Sequence, residues 1–340
     1  MQSTIKSRLL GALTILATVF TLQTALAAPQ TLKMHSGIAQ SRPEAAYLDQ
    51  FAKLIEEKSN GDLKLEVYHS GSLGLKEADL LRTMQRGLID MAMLYGEYYN
   101  RDAPELTAVY AQGAITRAEQ HLEVLPTLRS LYENSFSKWG IRSVGGVVAP
   151  VFNVGLHCKE PINTLDGLKG KKVRVWSAQL VDTFAKLGIS AQVIPQNDMY
   201  LALQTGVVDC AYYLSTVAKT VSLQEITKYE AYLHPWAAAP WIFGISERSW
   251  SRLSESQQRV LQEAGEEIWG GSRDKSVDPA REAAATAERQ ALGITVLEPF
   301  PQADVERFVA AAQLAWRELA ERAGEAGLHN YKVVTQQLSH

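Results

Sequence analysis

Hydrophobic and polar positions along this chain alternate between two periods. The stretch LKLEVYH, which begins at Leu63, is apolar at every second residue, and this is the period of a half-buried β-strand. The segment before it, 41–61, carries Leu48, Phe51 and Ile55 at helical spacing. Strand and helix patterns continue to alternate afterwards, which predicts β-sheets flanked by helices.

Residues typical of helix ends mark the predicted helices. Ser41 and Asn197 each precede an amphipathic stretch and are predicted N-caps. Ser254 and Gln257 have the spacing of a capping box. These signals predict helices that begin near 41, 197 and 254.

One short pattern occurs twice. Residues 84–94 read MQRGLIDMAML and residues 203–213 read LQTGVVDCAYY. Each predicts a helix end, a Gly stop, and a strand with an Asp at its start. The repeat predicts two α/β lobes built on a similar plan, although such junctions also recur by chance in α/β proteins.

The chain is predicted to cross between the lobes more than once. The β-rich segment 141–159 suits a first crossing, and a second is predicted near 233–243. Two such connections would form a hinge that closes around a ligand. The C-terminal third has helical composition, and 303–324 is predicted to be its last amphipathic helix.

Composition is that of an ordinary globular protein. The chain has 340 residues, 46% of them hydrophobic, and a net charge of −3. This length predicts about two domains. Because no basic block stands out, nucleic acid is not expected to be a partner.

The first 27 residues have the layout of a secretory signal peptide. Lys6 and Arg8 precede an apolar run over 9–22, and Ala25 and Ala27 form a small-x-small cleavage pattern. A buried helix or an uncleaved membrane tether is the alternative, but the run is short for a bilayer span. We therefore expect an exported, periplasmic mature protein.

The sequence contains none of the common catalytic, nucleotide-binding or metal-binding motifs. Cys158 and Cys210 are its only cysteines, and their spacing leaves open whether they pair. We expect no cofactor and no bound metal.

One strand carries a charge where apolar residues dominate. In KKVRVW, Arg174 lies between Val173 and Val175 and points to the opposite face. It lies either at a solvent edge, in a structural ion pair, or in a cleft where its planar guanidinium suits a carboxylate. The alternation alone does not decide between these positions.

The segment around this strand resembles the solute-binding proteins of TRAP-type (tripartite ATP-independent periplasmic) transporters, the DctP family. That family has a GLKG-K-hydrophobic-R-hydrophobic strand, a helix closing at L-G, and a Y-x-A-L-Q-x-G-x-x-D element. SNGDLKLEVYHSGSLG and QRGLIDMAM resemble its first-lobe elements. The matching residues are Gly167, Leu168, Gly170, Arg174, Leu187, Gly188, Tyr200, Ala202, Leu203, Gln204, Gly206 and Asp209.

The resemblance implies a type II-like, two-lobe periplasmic binding protein with hinge strands and a long C-terminal helical segment. It predicts lobe I over 28–151 plus about 240–278, and lobe II over 152–239 plus about 279–340. It also implies that Arg174 pairs the carboxylate of an organic acid and that the partner is a membrane-embedded permease. On this reading the protein is not an enzyme.

Further residues are predicted to face the cleft because they lie near strand or loop ends, although each could be purely structural. They are Tyr95, Tyr213, Trp176, Ser177, Gln196, Trp236 and His35. The aromatic members favour a small monocarboxylate with an apolar or ring-bearing body. Sialic-acid binders of the family add a second Arg where this chain has Asn153 and Val154, so sialic acid is not expected. The alternatives are a secreted enzyme acting on a carboxylate and a binding protein of an ABC-type importer.

Overall fold

A computed structural model describes residues 29–237 and 240–338. The predicted signal peptide, 1–27, lies outside these residues. Among the helices described, none combines the length and the apolar character that crossing a bilayer requires.

Strands and helices alternate through most of the chain, as the periodicity predicts. The strands are β1 Gln30–His35, β2 Leu63–Tyr68, β3 Met91–Leu94, β4 Ile141–Val147, β5 Val151–Cys158, β6 Lys172–Val175, β7 Ser190–Val193, β8 Cys210–Leu214, β9 Tyr229–Ala237, β10 Trp241–Ser246 and β11 Thr295–Val296. The helices are α1 Ala45–Lys58, α2 Leu80–Gln85, α3 Pro104–Thr107, α4 Ala118–Ser137, α5 Ala178–Lys186, α6 Gln196–Gln204, α7 Leu223–Ile226, α8 Glu247–Trp250, α9 Glu255–Asp274, α10 Pro279–Ala291, α11 Gln302–Arg322 and α12 Gly324–Leu338.

The strands form two sheets. The first has the order β2-β1-β3-β10-β4 and the second the order β11-β9-β5-β8-β6-β7. In the first sheet β1 is parallel to β2 and β3, while β10 runs antiparallel to β3 and β4. In the second sheet β6 is parallel to β7 and β8, and β5 runs antiparallel to β8 and β9. The predicted fold, two sheets flanked by helices, is confirmed.

The repeated sequence pattern performs the same structural task in both sheets. The carboxylate of Asp90 accepts the backbone N–H of Lys33, on the neighbouring strand β1, at 3.0 Å. The carboxylate of Asp209 accepts the backbone N–H of Lys172, on the neighbouring strand β6, at 2.9 Å. Each pattern therefore ends a helix and ties the next strand to its parallel neighbour.

A pair of glycines lets helix α9 lie directly against strand β4. Gly145 has a φ of 112°, which favours glycine. A Cβ atom on Gly265 would lie 1.6 Å from the carbonyl oxygen of Val144. Neither position has room for a side chain, so the two backbones are in contact here.

The two cysteines form a disulfide. Cys158 ends β5 and Cys210 begins β8, and the two residues are register partners in the second sheet. The pairing that the sequence left open is thus present between adjacent antiparallel strands.

The last two helices contact elements of both sheets. Helix α11 packs on α5, and α12 packs on α3 and α4. The indole N–H of Trp316 donates to the carbonyl of Ala108 at 2.8 Å. The predicted lobe boundaries stay a prediction, because helices α11 and α12 together contact both halves of the molecule.

Several local predictions were wrong and one was confirmed. The capping box of Ser254 and Gln257 is present. Ser41 does not cap α1; its hydroxyl donates instead to the carbonyl of Thr220 at 3.0 Å. Asn197 does not cap α6, whose N-cap position is Pro195. A further helix, α12, follows the stretch predicted to be the last one.

Candidate functional site

A cavity of about 70 Å³ lies between the two sheets, beside the carboxyl ends of parallel strands β1, β3, β6 and β8. Chain segments that leave strands at this edge place polar side chains around a common space. The lining residues are Gly37, Ile38, Arg42, Glu77, Met93, Tyr95, Tyr98, Arg174, Trp176, Pro195, Gln196, Asn197, Tyr213, Leu214 and Trp241. Both halves of the molecule therefore contribute to the cavity.

Arg174 reaches the cavity from strand β6 and is 1% exposed. Its Nε donates to the carbonyl of Ile194 at 2.8 Å, which fixes the guanidinium. Its Nη1 is buried and has no hydrogen-bond partner among the described residues. Burial lowers the pKa of Arg174 from its ordinary value, but an arginine stays charged in proteins. The solvent-edge position considered from the sequence is thereby excluded.

Aromatic rings surround this guanidinium. Its central carbon lies 5.8 Å from the ring centre of Trp176 and 5.5 Å from that of Tyr213. On the side of the first sheet, the ring of Tyr95 packs edge-on against Tyr98 at 5.2 Å and against Trp241 at 6.2 Å. This part of the cavity thus combines the fixed guanidinium of Arg174 with aromatic walls.

A second buried arginine, Arg42, lines the cavity from the side of the first sheet. Its Nε and Nη2 donate to the two carboxylate oxygens of Glu44 at 2.9 and 2.5 Å. Its Nη1 donates to Gln196 Oε1 at 2.8 Å and to the Tyr213 hydroxyl at 3.2 Å. Burial lowers the pKa of Arg42, but Glu44 and Tyr213 outweigh this effect and raise it above its usual range.

A lining carboxylate, Glu77, is held by His35. Glu77 Oε1 and His35 Nε2 lie 2.8 Å apart. A Cβ atom on Gly37 would lie 2.2 Å from the same oxygen, so only glycine leaves room for the carboxylate. Glu77 therefore presents negative charge to the cavity from a fixed position.

Glu97 lies behind the aromatic wall, 4% exposed. Gln112 Nε2 donates to its carboxylate at 2.8 Å. Burial raises the pKa of Glu97 to about 7, although hydrogen bonds from Gln112, Tyr95, Ser177 and Trp176 lower it. This carboxyl group thus titrates near neutral pH.

Five of the eight residues predicted to face the cleft line the cavity: Arg174, Tyr95, Tyr213, Trp176 and Gln196. His35 lies one layer behind it and contacts it through Glu77. Ser177 is the N-cap of α5 and accepts the backbone N–H of Leu180, so it supports the wall next to Trp176. Trp236 is on strand β9, and its side chain lies outside the described residues.

The sequence reasoning missed several lining residues, above all Arg42, Glu77 and Trp241. Arg42 precedes a helix and Glu77 begins a short 3₁₀ turn, and neither position is periodic. Within 29–237 and 240–338, no group of three or more His, Cys, Asp or Glu residues is placed to hold a metal ion.

Comparison with known families identifies the architecture. Residues 34–323 match the family described as bacterial extracellular solute-binding protein, family 7, also called DctP. The chain belongs to this family. DctP proteins are the solute-binding components of TRAP transporters, so the resemblance noted in the sequence is confirmed. The family is periplasmic, and its members bind small molecules and work with membrane permease components rather than as enzymes.

Named relatives and solved structures agree with this assignment. The sialic acid-binding periplasmic protein SiaP of Vibrio cholerae is 28% identical over 309 residues, covering 88% of this chain and 91% of SiaP. A monocarboxylate 2-oxoacid-binding periplasmic protein of Nostoc is 23% identical over 63% of this chain and 59% of its own length.

Two solved structures show the same DctP fold. DctP7 of Bordetella pertussis, crystallised with pyroglutamic acid, has a TM-score of 0.79 at 19% identity and covers 92% of this chain and all of its own (100%). A TRAP solute-binding protein of Rhodoferax ferrireducens, with bound malonate, has a TM-score of 0.78 at 21% identity, over 91% and 98% of the two chains.

Proposed function

We propose that this DctP-family protein binds a small monocarboxylate in the cleft and delivers it to a TRAP permease. The observation that carries the proposal is the Nη1 of Arg174, a buried cationic donor without an acceptor among the described residues. A buried donor without a partner is unfavourable, and a ligand carboxylate would satisfy it. Charge-assisted hydrogen bonds to arginine are among the strongest that proteins make.

The charges around the cavity favour a ligand with one carboxylate rather than two. The charge of Arg42 is already matched by Glu44, and Glu77 adds a further negative group. Among the lining cations of the described residues, only Arg174 has no carboxylate partner. A second ligand carboxylate would therefore lie in a cavity with the negative charge of Glu77, and the other lining cation, Arg42, is already paired with Glu44.

The walls favour an apolar or ring-bearing body. The aromatic residues Tyr95, Trp176, Tyr213 and Trp241 line the cavity. A ligand with an apolar or aromatic body can pack against these side chains while its carboxylate contacts Arg174. Pyroglutamic acid, named for DctP7, is a ring-bearing monocarboxylate, and the 2-oxoacids named for the Nostoc protein are monocarboxylates.

Binding should be tested first with a thermal-shift screen of carboxylic acids. A ligand that binds only the folded protein raises its melting temperature. We expect small monocarboxylates to give the largest increases, and their uncharged amides to give none.

The role of Arg174 should then be tested by calorimetry with the strongest acid of that screen. Arg174→Lys keeps the charge but loses the planar donor pair, and should weaken binding roughly tenfold or more. Arg174→Ala should weaken it further. Circular dichroism and melting without ligand serve as folding controls. Unchanged affinity in a folded Arg174→Ala protein would refute the proposal.

A further inference from the structure

Arg42 lines the same cavity as Arg174, yet its surroundings differ in one respect. One edge of its guanidinium, Nε with Nη2, donates to both carboxylate oxygens of Glu44, only two residues further along the chain. Glu44 is fully buried and does not itself line the cavity. The cavity wall therefore contains a second guanidinium, and the buried carboxylate of Glu44 already neutralises its charge.

The remaining donor of Arg42 points across the cleft. Nη1 contacts Gln196 and Tyr213, which belong to α6 and β8 of the second sheet, while Arg42 itself precedes α1 beside the first sheet. The Tyr213 hydroxyl in turn donates to Gln196 Oε1 at 2.9 Å. These three side chains form a closed hydrogen-bonded set between the two halves, and the ring of Tyr213 faces Arg174.

We propose that the Arg42–Glu44 pair sets the charge selectivity of the cleft. Glu44 neutralises Arg42, so that the closed cavity offers one uncompensated guanidinium and selects a single carboxylate over two. This inference rests on the proposed function, since it explains why that ligand carries one charge. The pair does so without removing Arg42 from the wall, where its Nη1 holds Tyr213 in place.

A dicarboxylate would find a cationic partner for only one of its two charges in this cavity. Its first carboxylate satisfies Arg174. Its second lies in a cavity whose other cation, Arg42, is bonded on two nitrogens to Glu44, and whose wall also holds the Glu77 carboxylate. Taking a charge out of water without a partner is costly. Replacing Glu44 by a neutral residue frees Arg42 to become that partner.

The test uses pairs of ligands matched in size and different in one charge. Malonate and malonamate, succinate and succinamate, and phthalate and phthalamate each compare a diacid with its monoamide. Calorimetry gives the affinity ratio within each pair for the wild type and for Glu44→Gln. We expect the wild type to favour the monoamide, and Glu44→Gln to shift the ratio towards the diacid by roughly tenfold or more.

Two further variants separate this effect from others. Arg42→Gln combined with Glu44→Gln keeps the pair neutral, and should restore the wild-type preference even if Glu44→Gln alone unfolds. Glu77→Gln removes a carboxylate from the same cavity without freeing Arg42, and should shift the ratio less than Glu44→Gln does.

Three outcomes would overturn the inference. They are an unchanged ratio in folded Glu44→Gln, an equal shift in Glu77→Gln, and failure of every pair to bind any of these proteins. If the proposed function itself were wrong, the result would be different: Arg174→Ala would leave acid binding intact.

Discussion

Glu97 permits a quantitative prediction about pH. Its carboxyl group is buried behind Tyr95 and Trp176, and burial raises its pKa from 4.5 to about 7. Between pH 4.5 and about 7, the folded protein therefore holds a proton on Glu97 that the unfolded chain releases. Stability from this group is fully present below pH 4.5 and is lost as the pH rises through about 7.

The size of the effect follows from the pKa difference. Each pKa unit corresponds to about 1.4 kcal/mol, so ionised Glu97 destabilises the fold by roughly 3 kcal/mol above pH 7. Glu97→Gln removes the titration but keeps an oxygen that can accept from Gln112. We expect the free energy of unfolding of the variant, minus that of the wild type, to rise by about 3 kcal/mol between pH 4 and pH 8.

Urea denaturation of both proteins at a series of pH values measures this difference. Using the difference cancels the other titrating groups and any constant effect of the amide on packing. The reasoning is refuted if the free energies of unfolding of the two proteins, plotted against pH, stay parallel from pH 4 to pH 8. Glu97 would then have the same pKa in the folded and the unfolded protein.

Three further predictions concern stability and use thermal or urea unfolding. Gly265→Ala forces a Cβ against a backbone carbonyl and should cost about 3 kcal/mol. The control Gly270→Ala lies in the same helix with open space around it and should stabilise the protein slightly. Equal effects of the two substitutions would contradict the close contact. Replacing Cys158 and Cys210 by Ser should cost up to about 4 kcal/mol, because the bond joins residues 52 positions apart in the chain. Reductant should then destabilise the wild type alone. Asp209→Ala should cost about 1 kcal/mol, since a strand N–H loses its acceptor, and Asp209→Asn should recover much of it; an unaffected Asp209→Ala protein would contradict the role.

The sequence was most informative where the signal is local. Period-two and helical spacing located most of the strands and helices, because burial of one face imposes those periods. Arg174 could be found because a charged residue inside an apolar strand breaks the pattern, and the family motif then placed it in a cleft. The repeated pattern was also informative, since Asp90 and Asp209 serve the same hydrogen bond in the two sheets.

Contacts between distant segments could not be predicted in this way. Ser41 has the local features of a helix cap, but its hydroxyl bonds Thr220, 179 residues away. Arg42 is next to it in the chain and has no periodic signal, because its role depends on Gln196 and Tyr213 from the other sheet. Long-range pairing of this kind depends on the tertiary fold, which a single sequence does not display.

Some predictions concern features that the structure does not test. The part played by Trp236 stays a prediction, as do the division into lobes and the cleavage of residues 1–27. Cysteine pairing belongs to the opposite case: the register of β5 and β8 brings Cys158 and Cys210 together, and that register could not be read from spacing.

The strand order of the first sheet has a consequence for how the molecule assembles. Strand β10 lies between β3 and β4, yet it is made after every strand of the second sheet except the two-residue β11. During synthesis, β3 and β4 therefore have unpaired edges until β10 is made, and unpaired strand edges promote aggregation. Strands β5 to β9 form an unbroken run and can pair as soon as they appear. Apart from the short edge strand β11, all strands of the second sheet are thus available before the first sheet, which is begun earlier, can be completed.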